Sequence, residues 1–145
     1  MTFIKECSLQ ADPHQVRTAS FWLDSICHSQ GVPTPLASRL DLCLNEILAN
    51  IIAHGGDAAR LHPINIKTEI EHTPDKWDIS VTVSDAGVAF DPTSVQEKPT
   101  PKTLAEAVPG GLGLIMIRSN ADRLSYAFVG GRNQLKFSVC ADHHT

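Results

Sequence analysis

Apolar residues recur along this chain with two different periods, and the change of period marks out the elements. Over residues 40–54, Leu40, Leu44, Ile47, Leu48, Ile51 and Ile52 return at three- and four-residue steps, the spacing of one helix face. An earlier helix opens at Asp12-Pro13, with Asp12 suited to the cap, Pro13 to the first helical position, and Gln15 three residues past the cap. Val16, Ala19, Leu23, Ile26 and Cys27 make its apolar stripe, and Gly31 ends it. Thr34-Pro35 repeats the start signal for the longer helix, and Gly55-Gly56 stop that helix after His54. The period then drops to two. Ile64, Ile66, Thr68 and Ile70 alternate, as do Trp77, Ile79, Val81 and Val83, and residues 73–76 supply the turn of an antiparallel hairpin. Leu114, Ile117 and Ala121 predict a further helix. Residues 123–129 and 134–140 predict two last strands around the turn Gly130-Gly131-Arg132-Asn133, and residues 2–9 a short first strand with Phe3 or Ile4 facing inward.

This order, βααββ, a long connection, then αββ, predicts an α/β (α+β) two-layer sandwich: an open, mostly antiparallel sheet with its helices on one face. At 145 residues it is expected to be a single domain. Residues 91–109 carry neither period and hold Pro92, Pro99, Pro101 and Pro109; so long a connection is expected to be functional or mobile, with at most a short helical turn at 103–107. A net charge of −4 and a pI of about 5.9 weigh against a nucleic-acid surface. Without an apolar run of spanning length or a signal-peptide pattern, the expected location is cytoplasmic. The four cysteines are scattered with no C-x-x-C pair, which predicts reduced and mostly buried thiols.

Three stretches carry candidate chemistry. On the central helix, the stripe opposite the apolar face is Arg39, Cys43, Glu46, Asn50 and His54. Glu46 and Asn50 lie one turn apart, so a carboxylate stacks above a carboxamide; both offer the oxygen atoms that a hard cation such as magnesium takes. An ordinary solvated face would look the same. Gly110-Gly111-Leu112-Gly113 enters a helix, the arrangement in which backbone N–H groups and the helix N-terminus receive an anion, although a tight connection also uses such glycines. No G-x-x-x-x-G-K-[ST] is present and no early strand–G-x-G-x-x-G–helix unit, so neither a P-loop nor a dinucleotide-binding fold is expected. Asp85-Ala86-Gly87 closes a buried strand. Its carboxylate can accept a hydrogen bond from an exocyclic amine, with Gly87 letting a flat base approach, or it can merely form an Asx-turn.

Taken together, the order and spacing of these stretches resemble the GHKL ATPase superfamily, which includes gyrase, MutL and histidine-kinase catalytic domains. The likeness is strongest to the small anti-sigma-factor serine/threonine kinases of the RsbW type. It rests on Glu46-Ile47-Leu48-Ala49-Asn50, Asp85-Ala86-Gly87 and Gly110-Gly111-Leu112-Gly113-Leu114, continued by Arg118, Asp122-Arg123-Leu124-Ser125-Tyr126 and Gly130-Gly131-Arg132-Asn133. The resemblance implies a Bergerat-type ATP-binding fold with a mobile lid at about 91–109. It implies that Asn50 holds Mg2+ on the triphosphate, that Glu46 is the general base, and that Asp85 accepts the adenine amine with Gly87 close to the base. Gly110, Gly111, Leu112, Gly113 and Leu114 would wrap the phosphates, and Arg118 would touch phosphate or partner. His54 matches the pattern too, but a histidine at a helix C-terminus is equally explained by the helix dipole. Two positions depart from the pattern. Ala89 stands where relatives often have a second glycine, and Arg132-Asn133-Gln134 stands where many carry a threonine supporting the adenine-binding aspartate, a place that Asn133 or Gln134 could fill. The function implied is that of an ATP-dependent protein kinase and anti-sigma factor: it phosphorylates a STAS-domain antagonist, sequesters a sigma factor or similar regulator, and works as a homodimer without nucleic acid or membrane. The alternative is a non-catalytic ATP-binding partner switch, which would have no need of Glu46.

Overall fold

The computed structural model describes residues 2–89, 91 and 111–142, with the backbone alone at 111–114. The strands are β1 (Thr2–Leu9), β2 (Ile64–His72), β3 (Lys76–Asp85), β4 (Arg123–Val129) and β5 (Arg132–Asp142); the helices are α1 (Pro13–Gln30), α2 (Thr34–His54), α3 (Gly56–Leu61) and α4 (Gly111–Asn120). The strands form one sheet in the order β1-β2-β3-β5-β4, and every pair is antiparallel.

Alternation decides what each strand buries. One row runs across all five strands on the inner face: Cys7, Ile66, Val83, Leu135 and Tyr126. The next inner row includes Thr68, Val81, Phe137 and Leu124. These rows meet Leu23 and Ile26 of α1, Leu40, Leu44 and Leu48 of α2, and Ile117 of α4 in one apolar cluster. The outer face carries Glu6, Asn65, Lys67, Thr82, Gln134 and Lys136, which border an open polar trough of about 710 Å³. One face apolar and one wetted is the two-layer arrangement that the period-two pattern predicts. In β1 it is Phe3 that packs on the core, while Ile4 is 55% exposed.

Local signals account for most boundaries. Asp12 Oδ1 accepts a hydrogen bond from the backbone N–H of His14 (2.9 Å), so the cap of α1 is as expected, and Gly31 closes the helix in the left-handed conformation with φ 73°. Gly130 and Gly131, with φ 61° and 77°, make the two-residue turn between β4 and β5, the geometry that matches the twist of a hairpin. In the other hairpin, Thr73 Oγ1 accepts from the N–H of Asp75 (3.3 Å) and of Lys76 (3.1 Å).

Besides the last hairpin, where Arg132 and Asn133 already belong to β5 rather than to the turn, two details differ from expectation. Thr34 is the first helical residue rather than the cap of α2; Pro33 takes the cap position, and no side chain caps the helix. The reason is that Pro35 has no N–H to satisfy, and the N–H groups of Leu36 and Ala37 both reach the carbonyl of Pro33 at 3.0 Å. The second difference is α3. Gly55 stays right-handed and Gly56 turns left-handed (φ 72°), so the chain re-enters a short helix that buries Ala59. None of the described helices is long and apolar enough to cross a membrane.

Candidate functional site

The polar stripe of α2 is a seam that opens into a cavity. At its lower end it faces α4. Cys43 is fully buried, with its thiol directed at the carbonyl of Ile117 (3.8 Å). Burial pushes that thiol up to about 11, so it stays protonated at neutral pH and acts as packing rather than as a nucleophile. Arg39 Nε donates to the carbonyl of Asn120 (2.8 Å), satisfying a group at the C-terminus of α4, and its Nη2 meets Asp122 at 3.1 Å. At the upper end, Asn50 and His54 line a cavity walled by Ile47, Ile51, Val83, Ile117 and Leu135. Glu46 lies between the two ends, one turn before Asn50; it is partly buried and has no hydrogen-bond or ion-pair partner among the described residues.

Asp85 reaches the same cavity from the sheet. It is the next inward position after Trp77, Ile79, Val81 and Val83, so alternation alone carries its carboxylate to the helix side, where it is 6% exposed. Its two oxygens have different surroundings. Oδ1 accepts from the backbone N–H of Gly87 (2.9 Å) and from Asn133 Nδ2 (3.1 Å). No described residue donates to Oδ2, and that oxygen is not among the buried atoms lacking a partner. The Asx-turn and the ligand-accepting reading are therefore compatible, one to each oxygen. Outside the pocket, Arg132 holds the end of β3 in place: its Nε donates to Ser84 Oγ (2.8 Å), and Nη2 to the carbonyls of Ser84 (3.0 Å) and Pro63 (2.8 Å).

Of the two hairpin residues that could support the Asp85 carboxylate, Asn133 hydrogen-bonds to it and Gln134 is on the exposed outer face. Asn133 is directly opposite Asp85 in the β3–β5 register and 6% exposed. Besides Asp85, its Nδ2 is within hydrogen-bond distance of the carbonyls of Gly87 (3.3 Å) and Val88 (3.0 Å), and its Oδ1 accepts from the Tyr126 hydroxyl.

Gly87 has a further reason to be glycine. A Cβ placed there would lie 2.9 Å from both Cα and O of Gly55 and 2.8 Å from Asp85 Oδ1. Gly55 is crowded in turn, since a Cβ on it would come within 2.5 Å of Ala59 Cβ and 2.6 Å of the Ile51 carbonyl. The loop after β3 thus sits directly on the end of α2, tied by the N–H of Val88 to the Gly55 carbonyl (3.2 Å). Two glycines in van der Waals contact set the distance between Asn50 on the helix and Asp85 on the strand.

The remaining expected site residues are on or before α4. Gly111, Leu112, Gly113 and Leu114 form its first turn, where unpaired backbone N–H groups are found. Gly110 and the 92–109 part of the expected lid lie outside the described residues, as does Phe90. Arg118 is on α4, partly buried. The structure therefore brings together Asn50, Asp85 and His54 in one cavity, with Gly87 packed behind it and Glu46 one turn away. Sequence reasoning missed Tyr126 and the contact of Gly55 with Gly87. Tyr126 had a visible signal, a phenol at the inward position between Leu124 and Phe128, but its partner depends on register.

Comparison with known proteins shows the family. The model of the histidine kinase-like ATPase domain matches residues 9–139. The serine/threonine-protein kinase BtrW of Bordetella bronchiseptica is 33% identical over 117 residues, covering 81% of this chain and 80% of that protein. The crystal structure of the RsbU and RsbW domains of Rv1364c from Mycobacterium tuberculosis superposes with a TM-score of 0.65 at 14% identity; the match covers 94% of this chain and 32% of that one, and at that identity it speaks for the fold.

Proposed function

We propose that this chain, which belongs to the histidine kinase-like ATPase domain family, is an ATP-dependent serine/threonine protein kinase of the anti-sigma-factor type. It transfers phosphate to a STAS-domain antagonist and sequesters a sigma factor or similar regulator, working as a homodimer in the cytoplasm. The observation that carries this reading is the cavity itself: an apolar slot into which α2 sends Asn50 and β3 sends a carboxylate with one uncommitted oxygen. A relative named a serine/threonine-protein kinase, alike over four-fifths of both chains, supports the reaction class.

The residues suit Mg-ATP. The apolar walls match the face of a flat base, for which this cavity of about 70 Å³ must widen, and Asp85 Oδ2 can accept its exocyclic amine while Oδ1 stays with the protein. Asn50 offers one neutral oxygen, enough for magnesium, which keeps several waters and takes few protein ligands beside phosphate oxygens. When bound, magnesium supplies charge neutralisation on the phosphates. The first turn of α4 gives backbone N–H donors for those phosphates. Glu46 then takes the proton from the substrate hydroxyl as its oxygen bonds to the γ-phosphorus and the bond to the ADP oxygen breaks. The carboxylate has no competing partner among the described residues, which leaves it free for that proton.

The test is transfer of label from γ-labelled ATP to a STAS-domain antagonist, expected on serine or threonine; an antagonist that stays unlabelled while ATP is bound would rule out the kinase. Calorimetry checks the site. Asn50→Ala is expected to remove the magnesium dependence of ATP affinity, and Asp85→Asn to narrow the preference for ATP over GTP by about tenfold, the worth of one hydrogen bond to a charged group. Equal affinity of the parent protein for ATP and GTP would remove the Asp85 assignment.

A further inference from the structure

The two edges of the sheet are built differently. β1 forms one edge and β4 the other, each paired with a single strand among those described. An edge strand presents unpaired N–H and C=O groups, which proteins usually guard with a charge, a proline or a bulge. β1 has such a guard: Lys5 and Glu6 place a charge on each side of it at mid-length. β4 has none beyond its first residue. From Leu124 to Val129 it holds no charged residue and no proline. Its register with β5 is continuous from Arg123–Ser138 to Val129–Arg132, without a bulge. It ends in two consecutive apolar side chains that lie open, Phe128 at 50% and Val129 at 56% exposure.

We infer that the β4 edge is the surface on which a second copy of this chain docks, the two sheets joining through antiparallel β4 strands into one continuous sheet. The inference rests on the homodimer of the proposed function and names its surface; it makes no use of the kinase chemistry. Two-fold symmetry and the pleat restrict the register. Side chains directly opposite on antiparallel strands lie on the same side, so the axis must pass through a residue position rather than between two. The register that uses all of β4 centres on Tyr126. It sets Leu124 opposite Phe128 of the second copy on the inner side, and Ser125 opposite Ala127 and Arg123 opposite Val129 on the outer side. No like charges meet, and the apolar pair forms twice, once on each side of the axis. The same construction on β1 fails. Its two longest registers centre on Lys5 or on Glu6 and put that charge opposite its own copy. β4 is therefore complementary to itself in a way that β1 is not. Tyr126 also lines the cavity, which places the two nucleotide sites on either side of the axis.

Sedimentation velocity over a range of protein concentrations follows the dimer in the parent protein, in Phe128→Lys and in Ile4→Lys, whose side chain is 55% exposed on β1. Phe128→Lys exchanges the apolar pair for a lysine on both sides of the axis and should raise the dissociation constant about tenfold or more. Ile4→Lys should leave it within about threefold, since it alters only the other edge. Amide exchange of the parent protein gives a second measurement that does not depend on a variant folding. Alternate N–H groups of β4 point away from β5, and these should be protected above the dissociation constant and exposed below it. A dimer that survives Phe128→Lys, a dimer broken by Ile4→Lys instead, or β4 exchange that stays the same on dilution to monomer would overturn the surface and leave a homodimer built elsewhere. A parent protein that is monomeric throughout would overturn both the surface and the homodimer, while label transfer to the antagonist still decides the kinase reading.

Discussion

Glu46→Ala is expected to abolish phosphate transfer while ATP still binds. The loss should be about 10²–10⁴-fold in the rate of labelling, the usual contribution of a positioned general base. The expectation of intact binding has a structural reason. Glu46 is outside the cavity lining, one turn before Asn50, and makes no hydrogen bond to a described residue that its removal would break. Calorimetry should therefore show ATP affinity within about threefold of the parent, since binding interactions common to substrate and transition state are unaffected. Single-turnover labelling of the antagonist separates the two readings of this fold. If the parent and Glu46→Ala label the antagonist equally slowly, the carboxylate is no base, and the chain is better described as a nucleotide-binding switch.

The second large effect is expected at a residue that touches no reacting atom. Gly87→Ala forces a methyl group into space held by the backbone of Gly55 and by Asp85 Oδ1, at 2.8–2.9 Å. The Gly55 backbone yields little, so the loop must move off α2. That breaks the bond from the N–H of Val88 to the Gly55 carbonyl and displaces the Asp85 carboxylate. Overpacking of this kind costs about 1–3 kcal/mol. In a chain of this size each kcal/mol lowers Tm by about 2–4 °C. Thermal unfolding should show that drop, and calorimetry should show a weaker ATP interaction out of proportion to it, because the variant also moves Asp85, the group proposed to hold the base. A Gly87→Ala variant that keeps the parent's Tm and affinity would mean that the loop does not rest on Gly55.

Both effects depend on the way α2 and β3 are set against each other, which bears on how far the site could be read from residues alone. The elements were legible. Period-two runs became β2 and β3 of one antiparallel hairpin, with His72 opposite Trp77, and the caps at Asp12 and Gly31 fell where side-chain chemistry puts them. Candidate groups were legible too, since Glu46 and Asn50 share a helix face and Asp85 continues an inward alternation. Thr34 misled because a threonine before a proline is a local cap signal. The competing fact was the missing N–H of Pro35, together with the carbonyl of Pro33, already placed to receive two donors. The short helix α3 was missed because two adjacent glycines read as a stop, whereas Gly55 stayed right-handed and Gly56 carried the whole reversal.

What the sequence determined by itself was most of what depends on near neighbours: the periods, the caps of α1, and the turn-by-turn stacking of Glu46 over Asn50. Only the tertiary structure decided which oxygen of Asp85 is spent on the protein, that Asn133 rather than Gln134 supports it, and that Tyr126 completes the chain of donors. Those bonds join residues 48 apart in one case and seven in the other, across strands whose partners are chosen by register. A shift of one residue in that register would exchange Asn133 for Gln134 at the same point, because successive side chains on a strand face opposite ways.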